Sequence, residues 1–435
     1  MVLPPACVSV NNGSHSSLRY LALTVFIFAI WVNPARALES KEIYQLNETS
    51  IFQIRVLNRE TGKKSSIGSG FVVGDGFRVA TNFHVISQII LEPDLYYITY
   101  LDKNGDEGEL TLLAMDVSRD LALLQSDKKL GEPAQMSELP PRGAPVFAMG
   151  NPLDLGLTMA VGTNGGILNQ TDDSRILFSG NLNPGMSGGP TFDQQGRVIG
   201  INVATSRNAI SFIVPSSYLI RLLEKPDSEL INGLQDLRSN VTKQVLDYEN
   251  NYIAELQAQD WKQLSLRNFT LPGVISPTVR CWDNSAKLGA SAEYKRFQIR
   301  CSNKNHIFLD SDNKFVGRLI YEYYWLESED LNSVQFHNLY QSLNKDQINS
   351  KLDRDVVSNY NCKTWFITVS SEEFKSNLCR REYVEYEGLS DVLFTAALTG
   401  KARQGFFITL IMTGVDYQSS LPLIQKFLNN IEWTD

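Results

Sequence analysis

The chain is 435 residues long, 43% apolar and 20% charged, with a formal net charge of −8. That length implies two or three domains, and the composition excludes a wholly disordered chain. The acidic balance argues against a general binder of nucleic acid or anionic membranes, and no apolar run reaches the roughly 20 residues of a spanning helix.

At the N-terminal end an apolar run, Leu21 to Val32, is preceded by Arg19 and followed by Ala35-Arg36-Ala37. A positive flank, a short apolar core and an A-x-A step predict a secretory signal over residues 1–37, cleaved after Ala37. Cys7 would leave with it. The remaining cysteines, Cys281, Cys301, Cys362 and Cys379, all lie in the C-terminal half, an even count suited to an oxidising compartment. Pairing of nearest neighbours, Cys281 with Cys301 and Cys362 with Cys379, is the expected connectivity, because each pair lies across a plausible strand or helix turn. A zinc site using Cys281, Cys301 and His306 is the rival reading, but it lacks paired C-x-x-C units. Export to a bacterial periplasm or to the cell exterior is therefore expected. The N-x-Ser/Thr triplets at Asn47, Asn169, Asn240 and Asn268 do not choose between the two.

From about Ser50 to Pro215, short runs rich in β-branched and apolar residues alternate with turn signals. Ser69 to Val73, Phe77 to Thr81, Tyr96 to Leu101, Glu109 to Ala114, Asp120 to Leu124, Pro145 to Met149 and Val198 to Val203 read as strands. Asp75-Gly76, Asn104-Gly105 and Gln195-Gly196 sit between such runs, as hairpin turns do. Many short strands at close spacing predict a sandwich or barrel.

Composition then changes. Ser216 to Glu224 reads as a helix closing the β-rich half. Leu230, Leu234, Leu237, Val241, Val245 and Leu246 recur at helical spacing and predict an amphipathic helix packed on its own protein. Beyond Leu271, strand-like runs return at Lys295 to Cys301, Lys314 to Trp325, Thr364 to Val369, Asp391 to Ala397 and Gly405 to Val415. A last helix is expected over Leu421 to Trp433. The expected division is a signal (1–37), a β-rich unit (38–224), a helical connector (225–265) and an α+β domain (266–435) of unknown role.

The chain has four histidines, and His84 is the one in the β-rich half. It follows the apolar run Phe77 to Ala80, in Ala80-Thr81-Asn82-Phe83-His84-Val85. Alone it reads as a structural residue or as a base. Downstream lies Asn183-Pro184-Gly185-Met186-Ser187-Gly188-Gly189-Pro190, where glycines around a serine permit a tight turn and close approach of a substrate. The amides of Gly185 and Ser187 can converge there on one point, as an oxyanion hole requires. A third element, Arg119-Asp120-Leu121-Ala122-Leu123-Leu124, places an aspartate at the start of an apolar strand. Half buried there, Asp120 could orient a histidine, with Asp116 as its competitor.

Taken together, His84, Asp120 and Ser187 occur in the His…Asp…Ser order on a chain of strands. The sequence resembles the trypsin-like serine proteases, and among them the Deg/HtrA family, over about Ile67 to Leu222. Gly68-Ser69-Gly70-Phe71-Val72-Val73, Thr81-Asn82-Phe83-His84-Val85, Asp120-Leu121-Ala122-Leu123-Leu124 and Gly150-Asn151-Pro152 carry the likeness. The serine block, Val198-Ile199-Gly200-Ile201-Asn202 and Phe212-Ile213-Val214-Pro215 complete it. The resemblance implies a mainly β, chymotrypsin-like double β-barrel, followed here by a helical segment and an α+β C-terminal domain. His84 would act as base and acid, Asp120 would orient it, Ser187 would be the nucleophile, and the amides of Gly185 and Ser187 would hold the oxyanion. No metal or organic cofactor is needed for that chemistry.

Two departures stand out. No Ile-Ile-Gly-Gly or Ile-Val-Gly-Gly start is present, so activation by a new N-terminus is not expected. No PDZ signature follows Leu222, so substrate delivery by such a domain is not carried over, and the oligomeric state stays open. By analogy with the family, the S1 pocket wall involves Asn181, Leu182, Ile201, Asn202, Val203 and Ala204. None of these is acidic, which predicts cleavage of a protein or peptide substrate after small or medium apolar residues. The alternative is a regulated or inactive protease-fold binding protein controlled by its C-terminal domain.

Overall fold

Alternation of apolar residues on both faces decides the architecture of the first half. Strands β1 (Ile51–Asn58), β2 (Lys64–Val73), β3 (Arg78–Thr81), β4 (Tyr96–Leu101), β5 (Glu107–Asp116) and β6 (Leu121–Gln125) close into one barrel in the order β1-β2-β3-β6-β5-β4. Strands β7 (Pro145–Gly150), β8 (Thr158–Leu168), β9 (Arg175–Phe178), β10 (Pro190–Phe192), β11 (Val198–Val203) and β12 (Ser211–Pro215) close a second, in the order β10-β11-β12-β9-β8-β7. The computed structural model describes residues 37–168, 174–203, 211–231, 233, 236–285, 293–303, 305–309, 314–345 and 354–434. The signal expected over 1–37, but for Ala37, lies outside the described residues, as do Asn169, Ala204 and Leu234.

Successive residues of a strand point to opposite faces, and here both faces are covered. Val72, Ala122 and Leu124 point into the first barrel, while Val146 and Ala148 point into the second. Their neighbours Phe71, Val73, Leu121, Leu123, Phe147 and Met149 form a separate core that joins the two barrels. The mainly β, double-barrel fold expected from the sequence is thus borne out. The closing helix, Ser216–Leu223, adds Leu219 and Leu222 to the same seam.

The long helix begins later than the apolar spacing suggests, at Leu237–Ala258. Asp236 just before it has φ +61°, a left-handed conformation that cannot continue into a helix, so Leu230 lies in a separate segment. The helix serves two cores. Leu237, Val241 and Val245 pack into the core of the first barrel, and Tyr252, Ile253 and Leu256 into the C-terminal core. Gln244 fastens it further, accepting from the Val117 N–H at 2.9 Å and donating to the Met115 carbonyl at 3.2 Å. Residues 37–435 consequently form one compact unit.

The C-terminal region is a seven-stranded antiparallel sheet in the spatial order Arg280–Asp283, Lys295–Ser302, Leu319–Glu327, Gln404–Val415, Ser390–Leu398, Glu372–Glu382, Asn361–Val369. A helix, Tyr417–Asn429, packs on it, and its Asp416 cap accepts from the Ser419 N–H at 2.7 Å. Phe269, stacked on Phe406 with centroids 4.1 Å apart, anchors an aromatic core with Trp325 and Phe374. The run expected as one strand, Lys314 to Trp325, is broken at Gly317 and Arg318. Phe315–Val316 pairs with Ile307–Phe308 in a small hairpin, and only Leu319–Glu327 joins the large sheet. Cys281 is bonded to Cys301 and Cys362 to Cys379, each pair directly opposite in register. Each bond ties an outermost strand of the sheet to its neighbour. Bonding between Cys281 and Cys301 removes two of the three ligands of the zinc alternative.

Closing a loop of 17 residues, the Cys362–Cys379 bond should contribute about 3 kcal/mol through the unfolded chain. Urea unfolding of a Cys362→Ser/Cys379→Ser variant is expected to show a loss of about 2–4 kcal/mol. An unchanged midpoint would mean that the sheet edge holds without it.

Candidate active site

His84 stands on a single helical turn, Phe83–Ile86, that follows β3. Phe83, Val85 and Ile86 are buried, so the turn is fixed from below and only the polar residue is presented at the surface. Asp120 is buried at the opening of β6, with φ +61°, a conformation that aspartate tolerates better than most residues. Its carboxylate meets His84 twice. Oδ1 accepts the backbone N–H of His84 at 2.9 Å, and Oδ2 lies 2.7 Å from ring Nδ1. With Nδ1–H donated to a carboxylate, Nε2 is the nitrogen left to accept a proton. Asn82 closes the loop by donating its side-chain amide to the Asp120 carbonyl at 2.8 Å. Asp116 instead accepts from Ser118 and Arg119, so it serves its own turn rather than His84.

Ser187 comes from the second barrel, in the loop between β9 and β10, and is buried. The loop is locked onto the first barrel through Ser69 of β2. The Ser69 N–H donates to the Ser187 carbonyl at 2.7 Å. Its hydroxyl donates to the Gly185 carbonyl at 2.8 Å and accepts from the Asn151 N–H at 2.8 Å. Its own carbonyl accepts from Thr81 Oγ1 at 2.7 Å. The Met186 N–H donates to the Asn183 carbonyl at 3.0 Å, so the Gly185–Met186 peptide is held at both ends.

Two glycines have no substitute here. Gly185 has φ +93°, and a Cβ on it would fall 2.5 Å from the Asn151 carbonyl oxygen. Gly188 has φ +84°, and its Cβ would lie 2.2 Å from the Ser69 carbonyl oxygen and 2.9 Å from the Asn82 nitrogen. The residue after Ser187 therefore touches the segment that leads into His84. Beneath the loop, the Leu153 N–H donates to the Pro184 carbonyl at 2.9 Å. Asp154, tied by Lys64 and by Gln53, anchors that support to the first barrel, and these hydrogen bonds hold its carboxyl below the usual carboxylate range.

The residues expected around the specificity pocket fall in different places. Asn181 is exposed, while Leu182, Ile201 and Val203 are buried in the cores of the barrels. Asn202 is fully buried and holds the serine loop. Its Nδ2 donates to the Met149 carbonyl at 2.8 Å and its Oδ1 accepts from Thr191 at 2.5 Å. Its backbone exchanges hydrogen bonds with Gly188 and Gly189. Three residues of the site were not evident from the sequence: Ser69, Asn82 and Phe308. Phe308, from the C-terminal hairpin, places its ring 5.0 Å from the His84 ring.

Residues 68–201 match the trypsin-like peptidase domain family. Human serine protease HTRA3 is 30% identical over 200 residues, which cover 43% of this chain and 41% of that protein. A probable periplasmic serine endoprotease DegP-like protein of Marinomonas is 30% identical over 188 residues, 39% of this chain and 37% of its own length. Among solved structures, the serine endoprotease of Yersinia pestis is 25% identical, with a TM-score of 0.37, covering 43% of this chain and 65% of that one. The chain thus spans about two fifths of the length of these curated relatives. The double barrel thus carries, over residues 68–201, a trypsin-like peptidase domain that is similar to those of the HtrA and DegP-like serine proteases.

Proposed function

We propose that this protein is an exported serine endopeptidase that cleaves protein substrates through an acyl-enzyme. The observation that carries this reading is the doubly bonded His84–Asp120 pair, set beside a serine loop that Ser69 locks onto the same barrel. Ser187 Oγ attacks the scissile carbonyl while His84 Nε2 takes its proton. The protonated imidazole is stabilised by the Asp120 carboxylate and then returns the proton to the leaving amine. The amides of Gly185 and Ser187 receive the developing oxyanion, each donor being typically worth about 3 kcal/mol. Water deacylates the enzyme by the same proton path.

Export is supported by the signal-like N-terminal pattern and by the two disulfides, which belong to an oxidising compartment. No described helix is long and apolar enough to cross a membrane. For specificity, Asn181, the exposed member of the expected pocket wall, carries no charge, which supports a small or medium apolar residue over Arg or Lys before the cleaved bond. A peptide-library profile dominated by Arg or Lys would sink that assignment.

A fluorophosphonate probe should label the native chain and leave Ser187→Ala unlabelled. For His84→Ala, kcat on a peptide substrate should fall by roughly 10⁴-fold or more. Persistent labelling of Ser187→Ala, or a native chain that never labels, would overturn the reading. Ser69→Ala tests the locked loop separately. It should lower kcat about 10- to 100-fold, less than deletion of an oxyanion donor, with little change in KM. A change confined to KM would refute that role for Ser69.

A further inference from the structure

The hairpin Ile307–Phe308/Phe315–Val316 belongs to the C-terminal region, yet it is built into the core of the first barrel. Ile307, Leu309 and Val316 are all buried there, in the core that also holds Val85, Ile86 and Val117. Its backbone is tied at several points. The Leu309 carbonyl accepts from Tyr386 Oη at 3.1 Å, and the Leu309 N–H donates to the Lys314 carbonyl at 2.8 Å. The Gly317 N–H donates to the Thr413 carbonyl at 2.9 Å, and the Gly317 carbonyl accepts from Asn303 at 2.8 Å. A segment so anchored is a fixed wall rather than a lid.

The strand period then dictates what the wall presents. With Ile307 and Leu309 turned into the core, Phe308 must point the other way. It is only partly buried, and its ring lies over His84, tilted by 39°. Phe315, opposite it in register, meets it edge-on at 6.4 Å, and His306 packs against Phe315 at 4.7 Å. An aromatic ledge therefore runs from the C-terminal region to the ring of His84.

We propose that Phe308 is a specificity-determining residue of the substrate cleft, supplied by the C-terminal region, and that it restricts the residue before P1 (P2) to small side chains. This rests on the endopeptidase reading above. The Nδ1 edge of His84 is taken by Asp120, and the Nε2 edge must stay open to the seryl oxygen and the leaving amine. The residue that loses its bond is thus met at the ring edge. A substrate side chain next to P1 on the acyl side, set against the ring face, would meet Phe308, whose ring centroid lies 5.0 Å from that of His84.

The test uses the full chain and matched peptides that differ only at P2, carrying Gly, Ala, Val or Phe. The native enzyme should favour Gly or Ala over Phe in kcat/KM by about tenfold or more, within the usual range for steric discrimination in a pocket. Phe308→Ala should reduce that ratio about tenfold and leave the small substrates within about threefold, and Phe308→Leu should fall between. Should the alanine variant unfold, the leucine variant must still show the partial shift. A P2 ratio unchanged by either substitution overturns the proposal. So does equal acceleration of every substrate and of fluorophosphonate labelling, which would make the ring a plug, or a shift confined to the leaving side. Fluorophosphonate labelling of the native chain separates the two levels. If it labels but the ratio does not move, only this proposal fails; if it does not label, both fail.

Discussion

The serine and the histidine of this site stand on different barrels, so their juxtaposition depends on the seam between those barrels. That seam is apolar and two-sided, with Phe71, Val73, Leu121 and Leu123 facing Phe147, Met149, Phe192 and Val214. Full burial of side chains of this size is worth about 1.5–3 kcal/mol each, which makes separation of the barrels costly. Hydrophobic contact is non-directional, however, and does not set a loop to within a fraction of an ångström. Ser69 adds the directional part at the same seam, binding the backbone of Ser187, Gly185 and Asn151 and the hydroxyl of Thr81 within one residue. Asn202 does the corresponding work from the second barrel.

Much of this could be read from the chain itself. Tyr96 to Leu101 and Val198 to Val203 are strands with the expected bounds, because β-branched runs between turn residues leave little choice. The order His84, Asp120, Ser187 was also legible, since the glycines and prolines around the serine mark a tight turn. Strand β8 was not. It is largely exposed and contains Gly162, Gly165 and Gly166, so it shows neither alternation nor β-propensity. Ser69 was hidden for another reason. Between two glycines it looks like a spacer, and its hydroxyl partners lie 116 and 82 residues away along the chain. Phe308 is invisible in the same way, because only the register of a hairpin formed far downstream brings it to His84.

The C-terminal region is not an appendage. One helix feeds side chains into both the first barrel and the aromatic C-terminal core, and a hairpin from beyond that helix reaches the same barrel. A shift of the large sheet would therefore be felt at the face of His84 through packed side chains rather than through a flexible tether. This gives His84 a mechanical environment that the barrels alone do not provide.

The two disulfides sit at opposite margins of the C-terminal sheet, each clasping the last strand to the one inside it. The margin strand Asn361–Val369 is almost wholly exposed, with Trp365 and Phe366 open to solvent. A detached extended segment with large apolar side chains is the form in which a polypeptide enters an endopeptidase cleft. Margins are also where a sheet frays first, because half of their backbone groups have no strand to pair with. Covalent clasps at both margins keep such segments in the ladder. On the endopeptidase reading, that amounts to withholding the chain's own margins from the cleft of a neighbouring copy.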